Sequence, residues 1–494
     1  MEFTSLEFLI FLPTVFAIYW LLNRRLILQN LFVILCSYFF YAWADWYYLL
    51  IVLGYTAVSY LSGLLLERTT STSWRKVILW SAVAVSLSVL GLYKYFDFFI
   101  SHFNRIFAAI GFPLDWPTLN LVLPIGISFF TFQALSYTID VYRRDIPATH
   151  SPISFFAFLS FFPQILAGPI ERAAVLLPQF QRTRTFSYGQ GVEGMKRILW
   201  GLVKKMVIAN NCSVIVNEII SYSDAYNGWC HMLAILLFTI QIYSDFSGYS
   251  DIAVGCGKLL GINLSENFRF PYFSHNIREF WTRWHITLYT WLRDYVYFPL
   301  GGSRRGFRRT LINILIVFAL SGLWHGAALT KIGWGIYSGI CIVVAIFLER
   351  ISIGWDSYTK ENRKAYRMQP RHTGLHLLGS VLLTFFLVMA GWIIFMNPSL
   401  STTAEFIGNI FSTRPNLYEL PSQTVPTLCY VAVFMLIEYL FSNRRYVLDF
   451  TPAANEGAPA IALHNWQKWL ICWALALSVF LLAGPGNTFI YFRF

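Results

Sequence analysis

The chain has 494 residues, of which 56% are hydrophobic, 18% aromatic and only 13% charged, with a formal net charge of +12. So little charge cannot cover the surface of a soluble protein of this length, which excludes a water-soluble globular fold. Nucleic acid is not implied as a partner either, because the basic residues sit in short loops between apolar blocks.

Four apolar blocks follow one another within about 8–98: "LEFLIFLPTVFAIYWLL", "LFVILCSYFFYAWA", "WYYLLIVLGYTAVSYLSGLLL" and "VILWSAVAVSLSVLGLY". Each is long enough, or nearly so, to cross a hydrocarbon layer of ~30 Å as a helix. The first begins with Glu2 and Glu7 rather than a basic stretch and lacks a small-residue cleavage site, so it reads as a retained anchor. Arg24 and Arg25 follow the first span, and Arg68, Arg75 and Lys76 the third, while the turn between carries only Asp45. Basic loops at every second turn place the N-terminus outside and these loops in the cytoplasm. The same alternation puts Arg304–Arg309, the 350–372 loop and Arg444–Arg445 inside.

The central region, 118–350, mixes spans with polar motifs. Residues 177–205 read as a cytoplasmic surface segment leading into an amphipathic helix. Residues 241–262, "QIYSDFSGYSDIAVGCGKLLGI", are apolar enough for the membrane, yet carry Asp245, Asp251 and several serines and glycines. That mixture predicts a re-entrant or broken segment surrounded by protein or a water-filled cavity. Residues 274–306 are too polar to span and too aromatic for a free loop. On one helix, Trp281, Trp284, His285, Leu288 and Leu292 share a face, with Arg283, Thr287 and Asp294 on another. This predicts an interfacial helix, or one packed along an internal cavity.

Two or three further spans lie within 375–483, giving about eleven in an all-α polytopic membrane protein. No sustained repeat and no appended soluble domain is visible. The chain reads as one membrane domain with N-terminal spans (1–117), a catalytic core (118–350) and C-terminal spans (351–494). The seven cysteines are scattered, without CxxC or metal-ligand spacing, so neither a disulfide framework nor a metal site is expected.

Of nine histidines, only His285 and His325 are embedded in aromatic, apolar, helix-like runs. A polar ring in lipid is costly unless it faces a cavity or a partner, which makes both functional candidates rather than packing residues. Ser321, Gly322 and Ala328 lie one turn from His325, and their small side chains leave room for a cavity. Histidine exchanges a proton near neutral pH as general base or acid. Asp245, Asp251 and Asp294 either orient a histidine or, more simply, pair with Arg293, Arg283 or Lys258. The run "GGSRRGFRR" (301–309) is a cytoplasmic anchor that can also meet the phosphates of a nucleotide-like donor. No GxSxG elbow, P-loop or GxGxxG precedes a suitable helix, which leaves hydrolase and nucleotide-triphosphatase readings without support.

The stretches "LPIGISFFTFQALSYTIDVYR" (123–143), "LAGPI" (166–170), "DFSGYSDIAVG" (245–255), "ENFRFPY" (266–272), "FWTRWHITLYTWLRDYVYFPLGGSR" (280–304) and "SGLWHGA" (321–327) occur together and in order. In combination they resemble the membrane-bound O-acyltransferases, most closely the bacterial alginate O-acetyltransferase branch, from the first helix to the final "FIYFRF". The resemblance implies a multi-span helical fold with a central tunnel and with the family's catalytic histidine at His325. It implies the second characteristic position at His285, to place the thioester or support the tunnel's polar network. His325 would then act as general base on an acceptor hydroxyl or as a transient acyl carrier. Trp324, Ser321, Asp245, Tyr249, Trp284 and Asp294 become candidate substrate or tunnel residues, and Arg304 and Arg305 candidate contacts to donor phosphates.

The implied donor is cytoplasmic acetyl-CoA, with no permanently bound cofactor. The implied partners are membrane lipid, an extracytoplasmic acetyltransferase and a polysaccharide acceptor such as alginate or cellulose, in a bacterial inner membrane. Peptidoglycan O-acetylation and D-alanyl transfer to teichoic acid are the nearest alternatives. A transporter or flippase, or a scaffold, would leave the two embedded histidines unexplained. Two departures bear on acceptor and partner. Thr282–Arg283 stands where branch members commonly have Arg-Arg, and "GWIIFMNPS" (391–399) lacks an arginine found in the corresponding segment.

Overall fold

The computed structural model describes residues 1–490 except 44, 355–356, 360, 364–373, 445, 451–462 and 488. Much of the 350–372 loop, Arg445 and the end of "FIYFRF" therefore lie outside the described residues. Among the described residues the secondary structure is helical, with no strand. Among the described residues nine helices, against the eleven or so expected, are long and apolar enough to cross a membrane, from Tyr47–Arg68 to Asn465–Leu482, and Leu6–Leu21 and Leu26–Ala42 are shorter apolar helices. Their outer faces carry large apolar side chains: Leu375 is 86% exposed and Phe480 84%. Water would penalise such surfaces on helix after helix, whereas lipid accepts them. The chain is a multi-pass membrane protein.

The described residues cluster into two compact units whose sequences interleave. The first comprises Met1–Val203, Gly248–Glu266 and Ile471–Ala476; the second comprises Lys204–Ser247, Asn267–Leu470 and Leu477–Phe494.

The expected break at 241–262 is absent. Gly228–Leu259 is one continuous helix of 32 residues, about 48 Å long at 1.5 Å per residue. Its two aspartates are held in ion pairs. In the second unit Lys205 Nζ lies 2.6 Å from Asp245, and in the first unit Arg197 lies 2.9 Å from Asp251 and also pairs with Glu266. The glycines serve close packing. A Cβ on Gly201 would meet the Gly248 carbonyl oxygen at 2.6 Å, and one on Gly255 would meet that of Gly194 at 2.6 Å. Paired glycines seven residues apart on each helix bring the two backbones into contact, as small residues do in membrane helices.

The segment after 177 follows expectation in its first part, with residues 181–183 and 185–189 exposed and leading into the amphipathic helix Tyr188–Leu202. Unexpectedly, the helical run continues to Ser221 as a largely buried candidate span, with a π-helical stretch at Val203–Ala209. Residues 277–292 are not one helix. Ile277–Arg283 and Ile286–Leu292 are separate helices, and His285 between them has φ 44° and ψ 51°.

Candidate functional site

His325 is the last residue of the Phe307–His325 helix, and after the extended Gly326 the chain enters Leu329–Ile353. The two helices pack backbone to backbone. A Cβ on Gly322 would overlap the Lys331 carbonyl oxygen and meet its carbon at 2.9 Å, and one on Gly335 would overlap the Phe318 carbonyl. Gly322 therefore seats the hairpin instead of opening space beside the ring, and only Ser321 does the latter. The hairpin sets the buried Trp334 edge-on to His325, with ring centroids 5.1 Å apart, and Phe395 follows at 5.6 Å. Lys331 donates its ammonium to the Phe395 carbonyl and lies 3.7 Å from the centre of that ring.

His285 reaches the same place through its bend. A left-handed backbone is uncommon for a residue with a side chain, costs about 1–3 kcal/mol and persists only where the surroundings hold it. Here the hold comes from the stretch quoted as "ENFRFPY". Ile286 N donates to the Asn267 carbonyl at 2.9 Å, and Arg269 N donates to the Arg283 carbonyl at 2.9 Å. The Asn267 side-chain oxygen accepts from Thr287 Oγ1 at 2.9 Å and from Thr287 N at 3.3 Å. Asn267 has no role assigned by sequence, because the bend it clamps lies eighteen residues away.

The His285 and His325 rings stand 6.1 Å apart between centroids. Trp324 contacts both, at 5.6 and 4.9 Å, and Phe246 meets His285 edge-on at 4.7 Å. Both histidines are buried. Burial pushes the His285 imidazole, outside the candidate spans, down to about 3, which keeps it neutral through the physiological range. The two rings line a cavity of about 20 Å³ with Trp281, Trp284, Leu288, Tyr289, Leu292, Val317, Phe318 and Ser321. That volume holds about one to two water-sized groups. The walls are mostly apolar and aromatic, with the polar atoms concentrated on the histidines, the indoles, Tyr289 and Ser321.

The structure thus brings His285, His325, Trp284 and Ser321 to one cavity, with Trp324 against both imidazoles. It places three aspartate and tyrosine candidates elsewhere. Asp245 pairs with Lys205, Asp294 pairs with Arg293 at 2.7 Å, and Tyr249 stacks on Phe3 within the first unit. None of the three lines the cavity. Arg304 and Arg305 are exposed in a glycine turn before Phe307. They are separated from His325 by the length of a 19-residue helix, about 27 Å, and so cannot touch a group reacting at that ring. Val317 and Phe318 were missed, although they follow from His325 and Ser321 at helical spacing. Tyr289 was missed because the bend changes the face it shares.

A polytopic helical membrane protein with two buried histidines on one small cavity is the class of molecule these observations define. The model of the membrane-bound O-acyltransferase family matches residues 31–352. A probable alginate O-acetylase of Pseudomonas putida is 35% identical, covering 100% of both chains. The probable alginate O-acetylase of Pseudomonas aeruginosa is 39% identical over 83% of this chain and 75% of its own. A peptidoglycan O-acetyltransferase of Helicobacter pylori is 32% identical over 99% and 97%. The chain belongs to the membrane-bound O-acyltransferase family and is an O-acyltransferase.

Proposed function

We propose that the chain moves an acetyl group from cytoplasmic acetyl-CoA across the bacterial inner membrane, for O-acetylation of an extracytoplasmic polysaccharide such as alginate or cellulose. The observation that carries this reading is the cavity, where two histidine rings 6.1 Å apart border about 20 Å³ of mostly apolar space. A methyl and a carbonyl, each about water-sized, fit such a volume. His325 takes the proton of the acceptor hydroxyl as its oxygen attacks the thioester carbonyl. The carbon–sulfur bond then breaks, and the coenzyme leaves as a thiolate that recovers a proton. Neutral His285 orients the thioester, and Trp284, Trp324 and Ser321 shape the space around it. Arg304 and Arg305, far from the reacting carbon, suit the phosphate end of the donor.

An acceptor of the peptidoglycan type is the second reading, favoured by the name of the Helicobacter pylori relative and its near-complete coverage. The hydroxyl chemistry is the same. The N-terminus lies outside and the basic loops inside on both readings, and an extracytoplasmic acetyltransferase receives or directs the group.

The test is His325→Ala in cells, with protein level in the membrane checked by blot and labelled acetyl followed from acetyl-CoA into fractionated envelope polymers. Loss of label at normal protein level is the expected result. Unchanged labelling would overturn the catalytic role of His325, and the fraction that loses label identifies the acceptor.

A further inference from the structure

Asp245 opens the quoted "DFSGYSD" stretch, is buried, and does not reach the cavity. Its contacts lead to the end of the described chain. One carboxylate oxygen lies 2.6 Å from Lys205 Nζ, and the other accepts the backbone N–H of Ile490 at 2.6 Å. Lys205 also donates to the Asn487 carbonyl at 3.0 Å. Upstream in the same segment, Gly484 N donates to the Met206 carbonyl at 2.9 Å, and Asn211 Nδ2 donates to the Leu482 carbonyl at 2.9 Å. Gly484 approaches so closely that a Cβ there would meet Asn211 N at 2.8 Å. Lys205 and Met206 lie in the π-helical stretch Val203–Ala209. The wider turn there re-aims side chains relative to a regular helix, a device found often at functional sites.

The segment so fastened carries Phe489, which is 2% exposed. Its ring lies 5.7 Å from Phe246, the residue next to Asp245, and Phe246 in turn meets His285 edge-on at 4.7 Å. Phe268 packs against the same Phe246 ring at 5.0 Å and lies parallel to the imidazole at 6.4 Å. The His285 ring is therefore held in part through a relay that ends on the carboxyl-terminal segment.

We propose that residues 483–487 with Phe489 and Ile490 form a strap that positions His285 through Phe489 and Phe246, with the buried Lys205–Asp245 pair as its clasp. A buried ion pair by itself is weak evidence of stabilisation, since apolar residues of similar volume often replace one without loss. This pair differs in that both partners also hold backbone groups of the strap. Asp245, Lys205 and Phe489 are positioning residues, acting on the reaction only through the orientation of His285. The effect on turnover rests on the acyl-transfer reading above; the strap itself does not.

The experiment uses the full-length protein in detergent, with two variants. Lys205→Met with Asp245→Leu removes the clasp without leaving a buried charge, and Phe489→Ala removes the relay while leaving the clasp. Hydrogen exchange reads the strap, the rate of modification of His285 by diethyl pyrocarbonate reads its seating, and acetyl transfer from acetyl-CoA reads turnover. The double variant is expected to lose protection across the strap, to expose His285 to the reagent, and to lose about tenfold or more in turnover, the scale of a small misplacement at a reacting centre. Phe489→Ala is expected to keep protection at Gly484 but to show the other two changes, with recovery in Phe489→Leu. Protection unchanged in the double variant overturns the clasp. Protection lost with His285 reactivity and turnover both unchanged overturns the positioning role, as does a silent Phe489→Ala. Absence of acetyl transfer in the unaltered protein would defeat the proposed function, while exchange and His285 modification still decide the strap.

Discussion

The hairpin that presents His325 makes a sharp demand on Gly322. A methyl group there would overlap the Lys331 carbonyl oxygen, and would lie 2.9 Å from its carbon and 3.1 Å from Ile332 Cα. All three are backbone atoms, so no rotamer change relieves the clash, and the helices Phe307–His325 and Leu329–Ile353 must separate. Gly333, eleven residues on, provides the control, because a Cβ there meets only Ile394 Cγ2 at 3.7 Å, an ordinary contact. Helix propensity favours alanine at both sites by about 1 kcal/mol. At Gly333 that gain stands alone; at Gly322 it is set against overpacking worth about 1–3 kcal/mol, more where backbone must move. Gly322→Ala is therefore expected to be less stable than Gly333→Ala by about 2 kcal/mol or more. It should also lose most acyl transfer, since His325 lies one turn from the displaced contact. Thermal unfolding of the purified protein in one detergent, with acetyl transfer measured on the folded fraction, makes the comparison. Equal melting temperatures and equal turnover in the two variants would refute the backbone contact and the argument built on it.

Two further outcomes follow from the cavity. Burial lowers the proton affinity of His285 to about 3, below the ordinary histidine value near 6.5, so the unfolded chain binds the extra proton first as pH falls. Its contribution to stability is full above pH ~6.5 and is lost progressively below it; His285→Asn should flatten the acid side of the stability–pH curve, measured by thermal unfolding between pH 7 and pH 4. Val317 lines the cavity and is buried, so Val317→Ala should cost about 1–2 kcal/mol and move the preference from acetyl-CoA towards propionyl-CoA. A change of about tenfold or more in the ratio of kcat/KM values is the scale of one methylene in an apolar pocket, and an unchanged ratio would show that this wall does not bound the acyl group.

Which features were legible in the sequence depended on whether their causes were local. The spans were legible because lipid imposes a length and a composition on each helix separately. His285 and His325 stood out for a similar reason, as polar rings in runs that otherwise suit hydrocarbon. The grouping of Trp281, Trp284, His285, Leu288 and Leu292 came from the assumption of one continuous helix. The structure gathers all five around one cavity, but over a bend that no glycine or proline announces. Asp245 and the glycines at 248 and 255 suggested a broken segment because the partners that make a continuous helix affordable lie elsewhere in the sequence. Lys205 neutralises the carboxylate, and Gly194 and Gly201 receive the bare backbone.

The bend at His285 joins these strands of argument. On an unbroken helix from Ile277 to Leu292, residues 285 and 281 would stack on one face, and the imidazole could not turn independently of Trp281. The left-handed conformation uncouples them, at a cost that Asn267 offsets by accepting hydrogen bonds from Ile286 and Thr287. The same break lets Phe246 and Phe268 reach the imidazole from sequence positions seventeen or more residues away. His285 is thus aimed by three distant segments, whereas His325 is aimed by its own helix and the hairpin that follows. A substitution near His325 should therefore act through the packing of one hairpin. The orientation of His285 should instead respond to changes at Asn267, at Phe268 or at the carboxyl-terminal strap, none of which touches the cavity.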